Sequence, residues 1–392
     1  MKNHLAKIVG EQRVSSSEED LLAYSFDASF LEKKPKVIVW PKDVEEIRKI
    51  ILFLSRSGTT IVPRGNGTGF VGGAIGEDAA ILDMSLMNKI KKLNVREKYI
   101  DVEPSITLKK LNDFLKTEHL FFPITPENQK TTTIGSMFAT NAMSIRSKGL
   151  GKMEDWVEEI EFMDGTGKFY KTKDVKKFVG TEGTVCIITG LRLKVSQPIS
   201  GTTTSVFGFM ELHDLIHKLR ELKNDDSVMS LEFLDKMSSA FVGLKDHYHL
   251  LVEFQSNEGK LNNLDEIEKV WAKRTSVNKI LDIKGYVLRE DPKIPLDKLY
   301  DMINWCEQKQ VPCYGHIGFG ILNLRFLPKQ RNLIEETYSV VRKLNGFQAG
   351  ICGYGLKKKQ FVPQALKNRI IKLKEEFDYN NLLNRGKMVD YR

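Results

Sequence analysis

Pro63-Arg-Gly-Asn-Gly-Thr-Gly-Phe-Val-Gly-Gly73 places five glycines within nine residues directly behind the apolar run Thr59-Thr-Ile-Val-Pro63. The run reads as a strand and the glycines as the loop that leaves it. Glycine permits positive φ and close approach, so several N–H groups can converge on phosphate oxygens as an anion nest. Walker A is excluded, because no Gly-Lys-Ser/Thr follows. Gly67-Thr-Gly-Phe-Val-Gly72 satisfies the dinucleotide pattern GxGxxG, yet the chain runs on into Ala74-Ile-Gly and a new strand rather than opening a helix. A Rossmann-type unit is therefore disfavoured. The residues alone leave two readings, a phosphate cradle and a flexible glycine loop.

Two more small-residue turns favour the cradle. Thr131-Thr-Thr-Ile-Gly-Ser136 leads into the apolar residues 137–143, the composition expected where a helix N-terminus offers free N–H groups to an anion. Gly180-Thr-Glu-Gly-Thr184 precedes the strand-like Val185-Cys-Ile-Ile-Thr189. Three such loops call for an extended ligand with several polar stations, such as a dinucleotide.

Outward from these loops, the alternation of short apolar runs with amphipathic ones gives an α+β order. Strands are expected at 37–40, 80–83 and 185–195, with helices at 43–55 and 107–117. Asp43 and Glu46 fit a capping box. Residues 156–162 and 169–171 bracket Asp164-Gly-Thr-Gly167 as a hairpin. Past Ser196-Gln-Pro-Ile-Ser-Gly201 the character changes to longer helices, at 210–222 and 263–274, alternating with strands such as 248–254. Helices at 332–344 and 363–377 close the chain. Three segments follow: 1–198, 199–345 and 346–392.

The chain has 392 residues, 41% hydrophobic and 28% charged, which excludes a disordered or fibrous polymer and predicts more than one core. No apolar stretch is long enough to cross a bilayer, and the N-terminus lacks a signal-peptide h-region, so the cytoplasm is the expected location. The four cysteines, Cys186, Cys306, Cys313 and Cys352, read as reduced thiols. Residues 323–392 hold fifteen Lys or Arg against six Asp or Glu, which accounts for the whole net charge of +9. That excess reads either as solvated helix faces, around Lys357 to Lys359 and Lys367 to Lys374, or as a surface facing an anionic cofactor, an acidic protein partner or a peripheral membrane. Nucleic acid is not an expected partner, because no binding motif or interleaved aromatics accompany the basic residues.

The order and spacing of Arg64-Gly-Asn-Gly-Thr-Gly-Phe-Val-Gly-Gly73, Phe122-Pro123, Thr133-Ile-Gly135, Asn141-Ala142, Arg146, Gly151-Lys-Met-Glu-Asp-Trp-Val157, Asp164-Gly165 and Gly180 to Thr189 resemble the PCMH-type FAD-binding domain of the vanillyl-alcohol-oxidase superfamily. Leu231-Glu-Phe-Leu-Asp235, Ile294-Pro-Leu296, Gly315-His316 and the closing Leu383-Asn-Arg-Gly-Lys387 resemble its glycolate oxidase subunit and D-lactate dehydrogenase branch. The resemblance covers nearly the whole chain. It implies FAD across two α+β subdomains, a cap domain of antiparallel sheet covered by helices, and a C-terminal tail returning to the FAD domain.

By the same resemblance, Pro63, Arg64, Gly65, Asn66, Gly67, Thr68 and Gly69 surround the pyrophosphate. Pro123, Thr133, Gly135, Ser136 and Asn141 lie nearby. Gly180, Glu182, Gly183, Thr184, Ile187 and Ile188 run along the adenosine and isoalloxazine, and Asn384 sits near the flavin ring. The first loop has no His, so FAD is expected to be noncovalent.

The catalytic end departs from the pattern. Hydroxy-acid oxidising members carry HxGDGNxH and GEHG, whose His and Glu residues bind a divalent metal and supply a base. Here the text reads His316-Ile-Gly-Phe-Gly-Ile-Leu-Asn323 and Gly350-Ile-Cys-Gly-Tyr-Gly355. Phe319, Ile321, Asn323, Ile351 and Cys352 stand in place of the Asp, the Asn, the second His, the Glu and the base-position His. One imidazole and one amide make a poor metal site, so no catalytic metal is expected. His316 is the candidate general base, against the alternative of a core histidine. Tyr354 is a candidate to orient a hydroxyl, against simple packing, and Arg325 and Lys357 are candidates to anchor a carboxylate. His213, His217, His247 and His249 read as surface residues.

The expected activity is transfer of a hydride from a small hydroxylated substrate, such as a 2-hydroxy acid, to FAD, with the electron acceptor unspecified. The rivals are an FAD-carrying subunit of an electron-transfer complex and a non-enzymatic FAD-binding protein.

Overall fold

The computed structural model describes residues 1–255 and 263–391. Two compact units emerge. One comprises residues 1–142, 152–198 and 352–392, and the other residues 143–151 and 199–351. The second unit thus runs six residues beyond the sequence-based limit of 345 and takes in the short segment 143–151.

The first unit holds two sheets. Strands β1 (Val14–Ser15), β2 (Val37–Val39), β3 (Ile61–Arg64) and β4 (Ala80–Asp83) form a sheet in the order β1-β2-β4-β3, parallel except for β1. Strands β5 (Ile90–Asn94), β6 (Tyr99–Val102), β7 (Val157–Met163), β8 (Phe169–Thr172) and β9 (Ile187–Lys194) form an antiparallel sheet in the order β5-β6-β9-β7-β8.

The helix Val44–Arg56 buries Ile47, Ile50, Ile51 and Leu54, the i, i+3, i+4, i+7 stripe of an amphipathic helix, against the first sheet. Asp43 caps it, accepting from the Glu46 N–H at 2.9 Å. The other half of the expected capping box does not form. The Glu46 carboxylate instead accepts from the Lys42 N–H and from both Nη atoms of Arg13, at 2.6 and 2.8 Å, because a bidentate guanidinium is the stronger partner.

The tail 352–392 is part of this unit. Its helix Gln364–Phe377 contributes Ile370, Leu373 and Phe377 to the core behind the second sheet, where Phe377 meets Phe162 and Tyr170 edge-on. The chain then runs alongside β3. The Ile61 N–H donates to the Leu382 carbonyl, and the Asn384 N–H donates to that of Ile61. Several basic residues behind the charge excess are interior: Arg325, Lys358, Lys374 and Lys387 are buried. Lys374 Nζ, for example, donates to Asp378, to Asn381 Oδ1 and to the Leu383 carbonyl. The solvated-face reading of the basic tail therefore does not hold for Lys358 and Lys374.

The second unit is one antiparallel sheet of β10 (Thr203–Phe209), β11 (Val228–Leu234), β12 (Tyr248–Phe254), β13 (Leu288–Glu290), β14 (Cys313–Gly315) and β15 (Asn323–Phe326), in the order β10-β12-β11-β14-β15-β13. The helices Leu212–Lys223, Leu264–Ile283, Leu299–Gln308 and Asn332–Lys343 accompany it. The helix expected at 263–274 continues to Ile283 because Val277 and Leu281 extend its buried stripe into the same apolar cluster as Leu251 and Tyr314.

Candidate functional site

In the first unit the three glycine-bearing loops meet one another. A Cβ on Gly65 would lie 2.7 Å from Thr133 Oγ1, and one on Gly183 would lie 2.8 Å from Pro63 Cγ. Asn66 Nδ2 donates to the Thr131 carbonyl at 2.7 Å, tying the first loop to the second. Gly180 and Glu182 donate to the Phe138 and Ala139 carbonyls, tying the third to the helix Ile134–Thr140. Asn384 closes the set from the tail, its Nδ2 donating to the Glu182 carbonyl at 2.7 Å and to that of Gly73 at 3.3 Å.

The backbone N–H groups of residues 65–69 donate to no other group among the described residues. Unpaired amides gathered in a half-buried loop are the donors an anionic cofactor takes up. The geometry thus fits an elongated, phosphate-bearing group such as FAD, with Gly65 to Gly69 the residues most directly able to hold it.

Several sequence expectations are corrected here. The helix Ile134–Thr140 has no free amides in its first turn: Ile134 donates to the Ile106 carbonyl, Gly135 to that of Pro104 at 2.7 Å, and Ser136 to Thr133 Oγ1. Thr133 and Gly135 therefore act by letting two segments approach. Arg64 turns its guanidinium inward, donating to the Phe26 and Ala74 carbonyls and lying over the Tyr24 ring. It occupies the space a Cβ on Gly67 would need, so it braces the loop from beneath.

Ile187 is sealed in the core of the first sheet, and Ile188 packs toward the core of the second. Thr184 is fully buried and spends its hydroxyl on the Thr181 carbonyl. Pro123 is buried beside Phe122, whose N–H and C=O are both clamped by Asn112. Asn141 takes a left-handed conformation at the helix end and accepts from the Glu154 N–H. Thr68, half-buried, lies in the loop with the unpaired amides.

Glu182 holds the segment that carries Tyr354. Its carboxylate oxygens accept from the Tyr354 N–H at 2.7 Å and the Gly355 N–H at 2.9 Å. The Tyr354 ring packs against the core of the second sheet, which favours the packing role. Lys387 ends the run Leu383-Asn-Arg-Gly-Lys387 and carries no expected role from the sequence. It is buried, with Nζ donating to the Gly73 carbonyl at 2.8 Å and to Asn384 Oδ1 at 2.6 Å. Burial pulls its pKa down to about 7, against the attraction of Asp27 and Glu182.

In the second unit, His316 has charged company that the sequence did not reveal. Its Nδ1 lies 2.6 Å from Glu232 Oε1. The other oxygen of Glu232 accepts from Arg274 Nε at 2.8 Å and faces Nη2 at 2.6 Å. All three residues are buried, and the Arg274 guanidinium lies over the Tyr314 ring. Burial alone would raise the Glu232 pKa, but His316 and Arg274 outweigh it and hold the carboxyl below its usual range. His316 Nε2 has no partner among the described residues. The one available signal was Glu232 itself, the sole ionisable residue in a strand buried along its whole length. Nothing in the sequence tied Arg274 to it.

Arg325 is corrected as a carboxylate anchor. It is wholly buried, its guanidinium donating to Asn278 Oδ1, Asp282 and the Tyr286 carbonyl, so it belongs to the framework of this unit. His249 is likewise buried, against Ser239, rather than on the surface, while His213 and His217 are exposed. Asp291 accepts from the Gly350 and Ile351 N–H groups and so anchors the end of the unit. Among the described residues, no group of three His, Cys, Asp or Glu side chains is arranged to hold a metal ion.

Comparison with known proteins finds two family matches along the chain. Residues 35–173 match the FAD binding domain family, and residues 253–388 match the C-terminal domain of FAD linked oxidases. The chain is 26% identical to glycolate oxidase subunit GlcD of Bacillus subtilis, covering 99% of this chain and 96% of that protein. It is 26% identical to D-lactate dehydrogenase of Archaeoglobus fulgidus, covering 94% and 95%. It is 24% identical to mitochondrial D-2-hydroxyglutarate dehydrogenase of Rattus norvegicus, covering 91% and 78%. In fold it is similar to alkyldihydroxyacetonephosphate synthase, with a TM-score of 0.71 at 15% identity over 97% of this chain and 83% of that one. No described helix is long and apolar enough to cross a membrane. With an FAD binding domain matched over residues 35–173 and the C-terminal domain of FAD linked oxidases over residues 253–388, the chain is an FAD-linked oxidoreductase.

Proposed function

We propose that this protein oxidises a small 2-hydroxy acid to the 2-oxo acid, with His316 as the general base and without a divalent metal. The relatives named for glycolate, D-lactate and D-2-hydroxyglutarate support the substrate class. FAD, when bound, supplies the acceptor for the hydride and its two electrons. The chain's own task is to hold that cofactor without a covalent bond, through the amides of residues 65–69, and to remove the hydroxyl proton.

The observation that carries the assignment is the buried His316 imidazole, engaged at Nδ1 by Glu232 and without a partner at Nε2 among the described residues. Nε2 then accepts the O–H proton as the C–H bond breaks, a role that a positioned imidazole fills near neutral pH. Metal independence is supported by the donor set, in which Phe319, Ile321, Asn323, Ile351 and Cys352 replace the ligands and base of the metal-dependent pattern.

The test is anaerobic mixing of the yellow holoprotein with glycolate, D-lactate and D-2-hydroxyglutarate in the presence of a chelator. Bleaching of the oxidised-flavin absorption by one of them is the expected result, slowed by ~10²–10⁴-fold in His316→Ala. Reduction at an unchanged rate in that variant removes His316 from the reaction. Failure of every acid to bleach a protein that retains FAD favours an FAD-carrying subunit with no substrate chemistry of its own.

A further inference from the structure

A general base needs one defined nitrogen free, and an isolated neutral imidazole distributes its proton between two. His316 is not isolated. A carboxylate has no hydrogen to give, so a contact of 2.6 Å between Glu232 Oε1 and His316 Nδ1 is a hydrogen bond only if Nδ1 carries the proton. Glu232 is kept ionised by its second partner, since Arg274 faces its other oxygen through Nε and Nη2. The arrangement is rigid because each member comes from a different regular element or its end: Glu232 from β11, Arg274 from the helix Leu264–Ile283, and His316 from the residue that follows β14. Stacking of Arg274 on Tyr314, which lies in β14, holds the cation in place.

We infer that Glu232, itself held by Arg274, is a positioning residue that fixes His316 in the tautomer protonated at Nδ1 and so leaves Nε2 as the proton acceptor. This rests on the proposal that His316 is the base, and it adds two residues to which no role has been given. It also gives the buried ion pair a purpose beyond packing. Once Nε2 takes the substrate proton, the imidazolium is stabilised by the adjacent carboxylate, and Arg274 keeps that carboxylate from capturing the Nδ1 proton.

The test has one arm that does not depend on turnover. Holoprotein labelled with ¹⁵N-histidine, with the His316 signals assigned by their loss in His316→Gln, reports which ring nitrogen carries hydrogen. The expected result is the Nδ1–H form in the wild type and a tautomer mixture, or the Nε2–H form, in Glu232→Gln. An Nε2–H form in the wild type overturns the inference whatever His316→Ala does to activity.

In the second arm, Glu232→Gln is expected to retain FAD and to slow flavin reduction by ~10²-fold, with little change in KM. The acidic limb of its pH profile should move to lower pH, because the imidazolium has lost its anionic partner. Glu232→Asp should restore part of the rate. Because Glu232→Gln leaves Arg274 without its partner charge, the double variant Glu232→Gln/Arg274→Met provides a neutral core in which to repeat both readings. Wild-type rate and an unmoved acidic limb in either folded, FAD-loaded variant overturn the inference while leaving the assignment of His316 intact.

Discussion

The two units build their candidate sites from opposite materials. In the first, the candidate cradle is main chain: side chains are missing at Gly65 and Gly183 so that loops can close on one another, and the amides of residues 65–69 are left unpaired among the described residues. In the second, the candidate is built of side chains, with a guanidinium, a carboxylate and an imidazole lined up in a buried row. A cradle of amides carries no net charge and costs little to keep free of ligand, because its donors lie in a half-buried loop. A buried charged row is stable only when complete, since each member offsets the desolvation of the next.

That contrast breaks most readily at Arg274. Arg274→Met leaves the Glu232 carboxylate buried with only the His316 Nδ1–H to offset it, and is expected to cost ~3–5 kcal/mol, read as a lowered denaturant midpoint. Loss below 1 kcal/mol would mean that the row is not held as a charged unit.

Gly183→Val tests the other material. At φ +68 a β-branched residue is strained by ~1–2 kcal/mol, and its Cβ would lie 2.8 Å from Pro63. The expected outcome is loss of retained FAD during purification, out of proportion to the loss of stability. Retention of a full complement of FAD would show that the third loop does not shape the cradle.

Lys387 lies where the contrast blurs, as a side-chain charge inserted among the loops. Its pKa of about 7 in the fold lies below its ordinary value of 10.5, so between these limits the unfolded chain holds more protons than the folded one. Stability of the FAD-free protein should therefore rise with pH across that window, by no more than ~1.4 kcal/mol per pH unit from this group. In Lys387→Met that contribution to the slope should vanish, as measured by urea unfolding at several pH values. An unchanged slope would place the charge elsewhere.

The smallest effect is a control on local structure. Asp43→Ala removes the cap of the helix Val44–Arg56 and should cost ~1 kcal/mol without altering FAD retention.

The comparison also explains why one site could be read in advance and the other only in part. Glycine spacing, turn composition and alternating apolar runs are local properties, and they announced β3, the loop after it, the capped helix Val44–Arg56 and the strand Tyr248–Phe254. Where donors are used up by distant partners, local reading failed. The amides of Ile134 and Gly135 go to carbonyls at 106 and 104, and the Arg64 guanidinium goes to the carbonyl at 26. His316 was visible as an isolated imidazole, but Glu232 lies 84 positions away, and Arg274 lies 42 positions from Glu232.

The sequence by itself determined the alternation of elements, the glycine loops and the substituted cap motif, because propensity, periodicity and motif order act over a few neighbouring residues. The tertiary structure alone decided that three loops share one place, that Arg325 and Lys374 are framework rather than surface, and that His316 has an acidic partner. The physical reason is that burial and pairing are properties of residues brought together by the fold. A charge becomes structural or chemical only once its surroundings have removed the water and supplied the counter-charge.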